Sequence, residues 1–328
     1  TLTITDNNND GKLTANGGAG SAGIGGGSYH YGKSYGNTSN ITITGGDITA
    51  VGGVYGAGIG GGYTGDASNI RIEGNADVIA FGNSGAAIGS GYQSSYDSDI
   101  TITDHATVTA ASLDGCGIGG GQDASGKVTI TISGSASVNA QTRNPPAAIG
   151  SDRSSATVNI EDNAAVTAVS HGVAIGTSYG HEYNGGTSTV INITGGTVNA
   201  VTRDESRPAI GTVDGNLDLT INSSTGKTTV NTYTTSSDPL SLNIGTGHYD
   251  DSANKYRTSP SEGAEYNEDG SSNLGEDNAA IINFYRNTTL STDTDTSNAH
   301  KTLDDFAFHG GASHTLSGKD KDKGDLYK

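Results

Sequence analysis

The chain repeats one short phrase eight times, and few folds can accommodate that. The clearest copy is Gly56-Ala57-Gly58-Ile59-Gly60-Gly61-Gly62, with variants at 21–27, 85–91, 115–121, 146–152, 172–178, 207–213 and 241–247. An isoleucine followed by glycine therefore returns at Ile24, Ile59, Ile88, Ile118, Ile149, Ile175, Ile210 and Ile244, at intervals of 35, 29, 30, 31, 26, 35 and 34 residues. A constant phrase at uneven intervals means that insertions fall in loops while the strand cores persist.

Each repeat contains three short extended segments. The first is Asn40-Ile41-Thr42-Ile43-Thr44, echoed at 70–73, 100–103, 130–133, 158–161 and 191–194; its apolar and polar residues alternate, as in a strand with one buried face. A tight turn follows, either Gly45-Gly46 or a longer form such as Gly74-Asn75-Ala76 or Asp104-His105-Ala106, built from residues that tolerate left-handed backbone. The second segment is Asp47-Ile48-Thr49-Ala50, with later copies Val-x-Ala at 78–80, 108–110, 138–140, 166–168 and 198–200. The third is the glycine-rich phrase, where alternation points Ala57 and Ile59 inward and the glycines outward. None of these units can bury its own apolar face. The expectation is an all-β, right-handed parallel β-helix over 1–247, about eight coils of three strands, each strand pairing with its counterpart in the next coil. A β-propeller would need four strands per blade and its aromatic markers, and a leucine-rich repeat would need leucine; neither requirement is met.

Composition agrees with a thin core repeated many times. The 328 residues include 52 Gly, no Trp, no Met and only 32% hydrophobic side chains. A net charge of −18 opposes binding to nucleic acid or to anionic membrane surfaces, which requires clustered Lys and Arg. No apolar run is long enough to insert into a membrane. The single cysteine, Cys116, cannot form an internal disulfide, and it replaces an inward Ala of the glycine-rich strand, so it is expected to be a small buried hydrophobe. Thr1 is neither an initiator Met nor the start of a signal peptide, and a repeat begins almost at once, so the expectation is a piece of a longer chain. Residues 248–328 leave the pattern. They are acidic and rich in Asn, Ser and Thr, with apolar stretches at 279–285 and 306–308 that could cap the last coil.

Several residues invite a functional reading. Asp6-Asn7-Asn8-Asn9-Asp10-Gly11 matches the first half of a calcium loop, with Asp6, Asn8 and Asp10 as oxygen ligands; position twelve is Gly17 in place of Glu, so calcium is the one cofactor considered and none is required. The loops leaving the glycine-rich strands carry Tyr29, Tyr31, Tyr35, Tyr63, Tyr92, Tyr96, Tyr179 and Tyr183, which stacking would align along one edge. Aromatic faces beside carboxylates and amides suit sugars. Asp66, Asp97 and Asp123 follow successive glycine-rich strands and are the candidate carboxylates for glycoside hydrolysis, but no motif sets them apart from loop acids. Arg71, Lys127 and Arg153 are scattered, which disfavours a lyase acting on polyuronate. A threonine ladder suited to ice is interrupted by Arg71, Glu73 and Glu161.

The alternation of Gly-Ala-Gly-Ile-Gly-Gly-Gly with Ile-Thr-Ile-Thr-Gly-Gly-Asp-Ile-Thr-Ala resembles the glycine-rich β-strand repeats of large extracellular and cell-surface proteins of bacteria, of the right-handed β-helix type. The resemblance covers 1–247 and implies an extracellular or cell-surface scaffold or adhesin-like module that binds a polysaccharide or surface glycan without catalysis. The alternatives are a structural outer domain of a surface filament, similar to an insertion in a flagellin, with self-association through the glycine-rich face, and a polysaccharide lyase or glycoside hydrolase.

Overall fold

The computed structural model describes residues 1–6, 8, 10–28, 36–179, 187–204, 207–213, 215–221, 228–234 and 244–245 with their side chains. It describes the backbone alone at 246–250, 255–259, 281–286, 289–290, 308–309 and 312–317. The chain winds into a β-solenoid of three parallel sheets, with no helix among the described residues. The first sheet stacks eight strands, from Leu2–Ile4 and Thr38–Ile43 to Asn216–Ile221. The second starts at Lys12–Asn16 and Asp47–Val51 and reaches Thr229–Thr234. The third aligns the eight isoleucines, each paired with the next: Ile24 with Ile59, Ile59 with Ile88, and so on to Ile210 with Ile244.

Alternation places the core as the sequence predicts. Ile100 and Ile102 of the first sheet, Val108 and Ala110 of the second and Ile118 of the third meet on the axis of one coil, all fully buried, and their equivalents repeat above and below. Cys116 is buried in the same layer. The turn between the first and second strands uses left-handed backbone, with φ of 66° at Gly74, 59° at Asp104, 67° at Gly134 and 57° at Asp162. The aspartates add a cross-coil bond: Asp104 Oδ2 accepts the Gly74 N–H and Asp162 Oδ2 the Gly134 N–H, each at 3.0 Å.

The glycines correct one expectation. Strand alternation would turn them outward, yet residues 56–62 of the best copy are buried throughout. The strands of the third sheet in the first four coils are each only two residues long, for example Ile59–Gly60, too short for alternation to govern the flanking positions. The glycine after each isoleucine has φ between +132° and +145°, a region that side chains rarely enter. From Gly25 to Gly211, a Cβ there would lie 1.8–2.1 Å from the carbonyl oxygen of the matching glycine in the next coil. The space these glycines leave is filled by their own chain.

Beyond the parallel coils, Lys255–Ser259 pairs antiparallel with Ile244–Asp250. Ile281–Arg286 extends the second sheet parallel to Thr229–Thr234, and Ala312–Ser317 follows it antiparallel. Of the stretches expected to form a cap, residues 279–280 and 306–307 lie outside the described residues.

Two adjacent glycines give a sharp test. Gly119 has φ +133° and its added Cβ would sit 1.9 Å from Gly150 O, whereas at Gly120 the nearest atom is 3.6 Å away. Gly119→Ala is expected to cost about 3 kcal/mol or more, and Gly120→Ala less than about 1 kcal/mol, in urea unfolding followed by circular dichroism. Equal effects would contradict the stacking described.

Candidate functional site

Because the third-sheet strands are so short, the loop entering each one lies against the loop leaving it. Tyr92 N–H donates to Tyr55 O at 2.9 Å and Tyr63 N–H to Gly20 O at 2.7 Å, tying the two corners together. The result is a single edge along the solenoid. Tyr63, Tyr92, Gln122, Arg153 and Tyr179 stand on it, each four positions after its isoleucine. The next residue turns the chain with left-handed backbone at Thr64, Gln93 and Asp123, φ 58°, 56° and 58°.

Three tyrosines converge at the N-terminal half of this edge. The Tyr63 and Tyr92 rings stack with centroids 6.0 Å apart and planes 12° from parallel, and Tyr55 leans on both at 5.4 Å. Tyr55 is 43% exposed beside Val54, also exposed. Gln93 Nε2 donates to the Tyr92 hydroxyl at 3.1 Å, and the Asp123 carboxylate acts on that hydroxyl electrostatically. Partial desolvation and the Asp123 carboxylate push the Tyr92 phenol above its ordinary value, so it stays a neutral donor across physiological pH.

The structure brings together Tyr63 and Tyr92 of the expected set and adds Tyr55, which sequence reasoning passed over because it precedes the strand. Tyr96 is 52% exposed, on the loop that leads into the first sheet. Tyr179 stands apart from the trio, with the Arg207 guanidinium 4.4 Å and the Arg153 guanidinium 5.8 Å from its ring centre. Tyr29, Tyr31, Tyr35 and Tyr183 lie outside the described residues.

The candidate carboxylates have structural partners. Asp66 Oδ1 accepts the Thr38 N–H at 3.2 Å, and Asp97 Oδ1 accepts the Lys127 N–H at 2.9 Å. Asp123 pairs with Arg153 at 2.9 Å. At the first turn, Asp6 Oδ1 accepts the Asn8 N–H at 3.2 Å and Asp6 Oδ2 the Gly11 N–H at 2.5 Å, so this carboxylate shapes its own loop. Among the described residues, no three His, Cys, Asp or Glu side chains form a metal-binding group.

Between the tyrosine trio and Tyr179 lies Asp152, an acid that sequence reasoning missed because its equivalents are Gly62, Gly91, Gly121 and Ser178. It is 2% exposed. Its Oδ2 accepts the Asp123 N–H at 2.9 Å and lies 3.6 Å from Arg153 Nε, while Oδ1 has no hydrogen-bond partner. Burial raises its pKa to about 6, against the lowering pull of the Asp123 N–H, Arg153 and Arg207.

Comparisons with known proteins bear on the fold. A family model described as a beta helix repeat matches residues 8–28, 41–63, 100–122 and 191–212, four turns of the solenoid seen here. Neither curated proteins nor solved structures gave a match. The repeat match and the three parallel sheets define a protein of the β-helix type. Among the described residues, no helix is long and apolar enough to cross a membrane.

The buried acid carries a pH prediction. Its folded pKa lies above its ordinary value of 3.8, so the fold favours the protonated form. The resulting stabilisation is complete below about pH 4 and is lost as pH rises through about 6, a swing of about 3 kcal/mol. Asp152→Asn keeps an oxygen for the Asp123 N–H and cannot titrate. The difference in urea unfolding free energy between variant and parent should therefore grow in the variant's favour from pH 4 to pH 8. A difference that stays flat with pH would contradict the assignment.

Proposed function

We propose that the chain is an extracellular, non-enzymatic β-helix module that holds a neutral glycan on the platform formed by Tyr55, Tyr63 and Tyr92. The observation that carries this reading is the exposed, stacked aromatic trio on the rigid edge of a solenoid. A sugar's C–H face packs on such rings, and Gln93, Asp123 and the Tyr92 hydroxyl stand beside them for its hydroxyl groups. The platform rests on backbone fixed by inter-coil hydrogen bonds, so little ordering is needed on binding. The acidic chain favours neutral over acidic ligands at this end.

The resemblance to glycine-rich repeats of bacterial surface proteins fits the same reading and supports a cell-surface location. Packing against a filament core is the structural rival. The glycines that follow the isoleucines give it no open face, because from Gly25 to Gly211 their Cβ directions are occupied by the chain's own carbonyls.

A screen of neutral polysaccharides against the whole chain tests the proposal. Replacing Tyr55, Tyr63 or Tyr92 by Ala should weaken retention of any hit about three- to tenfold each, the range of an aromatic contact. Retention unchanged in the triple variant, no hit across the screen, or release of reducing ends or unsaturated sugars from a bound polymer would overturn it.

A further inference from the structure

What a one-electron oxidant can reach on this chain is narrowed by composition. Methionine and cysteine are common first targets of oxidation, and the chain has no Met, no Trp and a single Cys. That residue, Cys116, is fully buried, and burial holds its thiol well above the ordinary value, away from the reactive thiolate. One-electron oxidation of the folded chain therefore falls on its phenols.

Two of those phenols are held together by the coil stacking. Tyr63 and Tyr92 occupy equivalent positions of adjacent coils, and Thr64 N–H donates to Tyr92 O at 2.9 Å, which fixes the two backbones side by side. Their rings stack with centroids 6.0 Å apart and planes 12° from parallel, and both are half-buried, so solvent still reaches them. The exposed Tyr55 ring lies 5.4 Å from each. A radical formed on Tyr55 is thus one short hop from either partner.

We propose that Tyr63 and Tyr92 are a site of oxidative cross-linking, joined as dityrosine by an oxidant of the peroxidase and hydrogen peroxide class, with Tyr55 as the point of entry. Each phenol gives up one electron and its hydroxyl proton to become a phenoxyl radical, and one hydrogen peroxide takes up both electrons and both protons to give two waters. The radicals join through ring carbons ortho to the oxygens. As each ring regains aromaticity its ortho hydrogen moves to its oxygen, so both hydroxyls are restored. Proximity decides the partner, because a radical held against a second phenol couples there before it meets another chain. The bond closes a loop of 29 residues between coils otherwise joined by hydrogen bonds and packing, and so restricts the unfolded chain. None of this depends on whether the same rings hold a glycan.

Limited treatment of the full chain with a peroxidase and hydrogen peroxide tests the proposal, read by dityrosine fluorescence and mass spectrometry. The expected product is a monomer lighter by two hydrogen atoms, with fragment spectra placing the link between Tyr63 and Tyr92 and a higher urea midpoint than the untreated chain. Tyr63→Phe or Tyr92→Phe should abolish that link, since phenylalanine keeps the ring and has no hydroxyl to oxidise. Tyr55→Phe should slow the reaction and leave the product the same. The parent chain treated while unfolded in urea should show no preference for this pair, a readout that needs no variant. Tyr96, at 52% exposed, is more open than any of the three, so a reaction governed by exposure alone would pass through it. The proposal would be overturned by a main link at Tyr96 or between chains, by an equal yield in Tyr63→Phe, or by no dityrosine at all. No sugar enters this assay, so its failure and that of the glycan reading are told apart.

Discussion

The structure depends on how closely one coil approaches the next at the glycine after each conserved isoleucine. From Gly25 to Gly211, the direction that would hold a Cβ points at the next coil's carbonyl, less than 2.2 Å away, and the backbone there has a positive φ. Only hydrogen fits. That contact repeats from Gly25 to Gly245, so the register of the third sheet is set by sterics, and the first two sheets follow through their buried isoleucines and valines. A chain with few large apolar side chains can be stable in this way because every coil is packed from both sides, and each small core layer adds to its neighbours.

The same contact shapes the edge that carries the candidate site. A strand of two or three residues cannot separate the loops that enter and leave it, so both corners of the third sheet merge into one edge. Along it, the aromatic trio sits toward the N-terminus and the arginines toward the C-terminus, with buried Asp152 between them. Asp152 occupies a position that is glycine in five other coils, and its carboxylate is held between Asp123 and Arg153. The fold loses stability there when the acid ionises, a local cost tolerated in a molecule otherwise built from uniform layers.

Much of the fold was legible in the sequence because stacking demands a repeat. The isoleucine and glycine positions, the alternating Ile-Thr strands and the left-handed turns at Gly74, Asp104, Gly134 and Asp162 all follow from local residue chemistry. The glycine faces were misread because alternation assumes a strand long enough to have two faces. The site was only partly legible. Tyr63 and Tyr92 share one repeat position and were found, whereas Tyr55 enters from the opposite corner and joins them only because the strand between is so short.

Native-state hydrogen exchange resolved at single amides tests the inter-coil stacking most directly. The N–H groups of Ile59, Ile88, Ile118 and Ile149 donate to Ala87, Gly117, Ala148 and Ala174 of the next coil at 2.9–3.0 Å. The account predicts that these four amides are strongly protected and open together, with protection falling toward the first coil. Exchange at the rate of an unstructured peptide, or four unrelated rates, would contradict it.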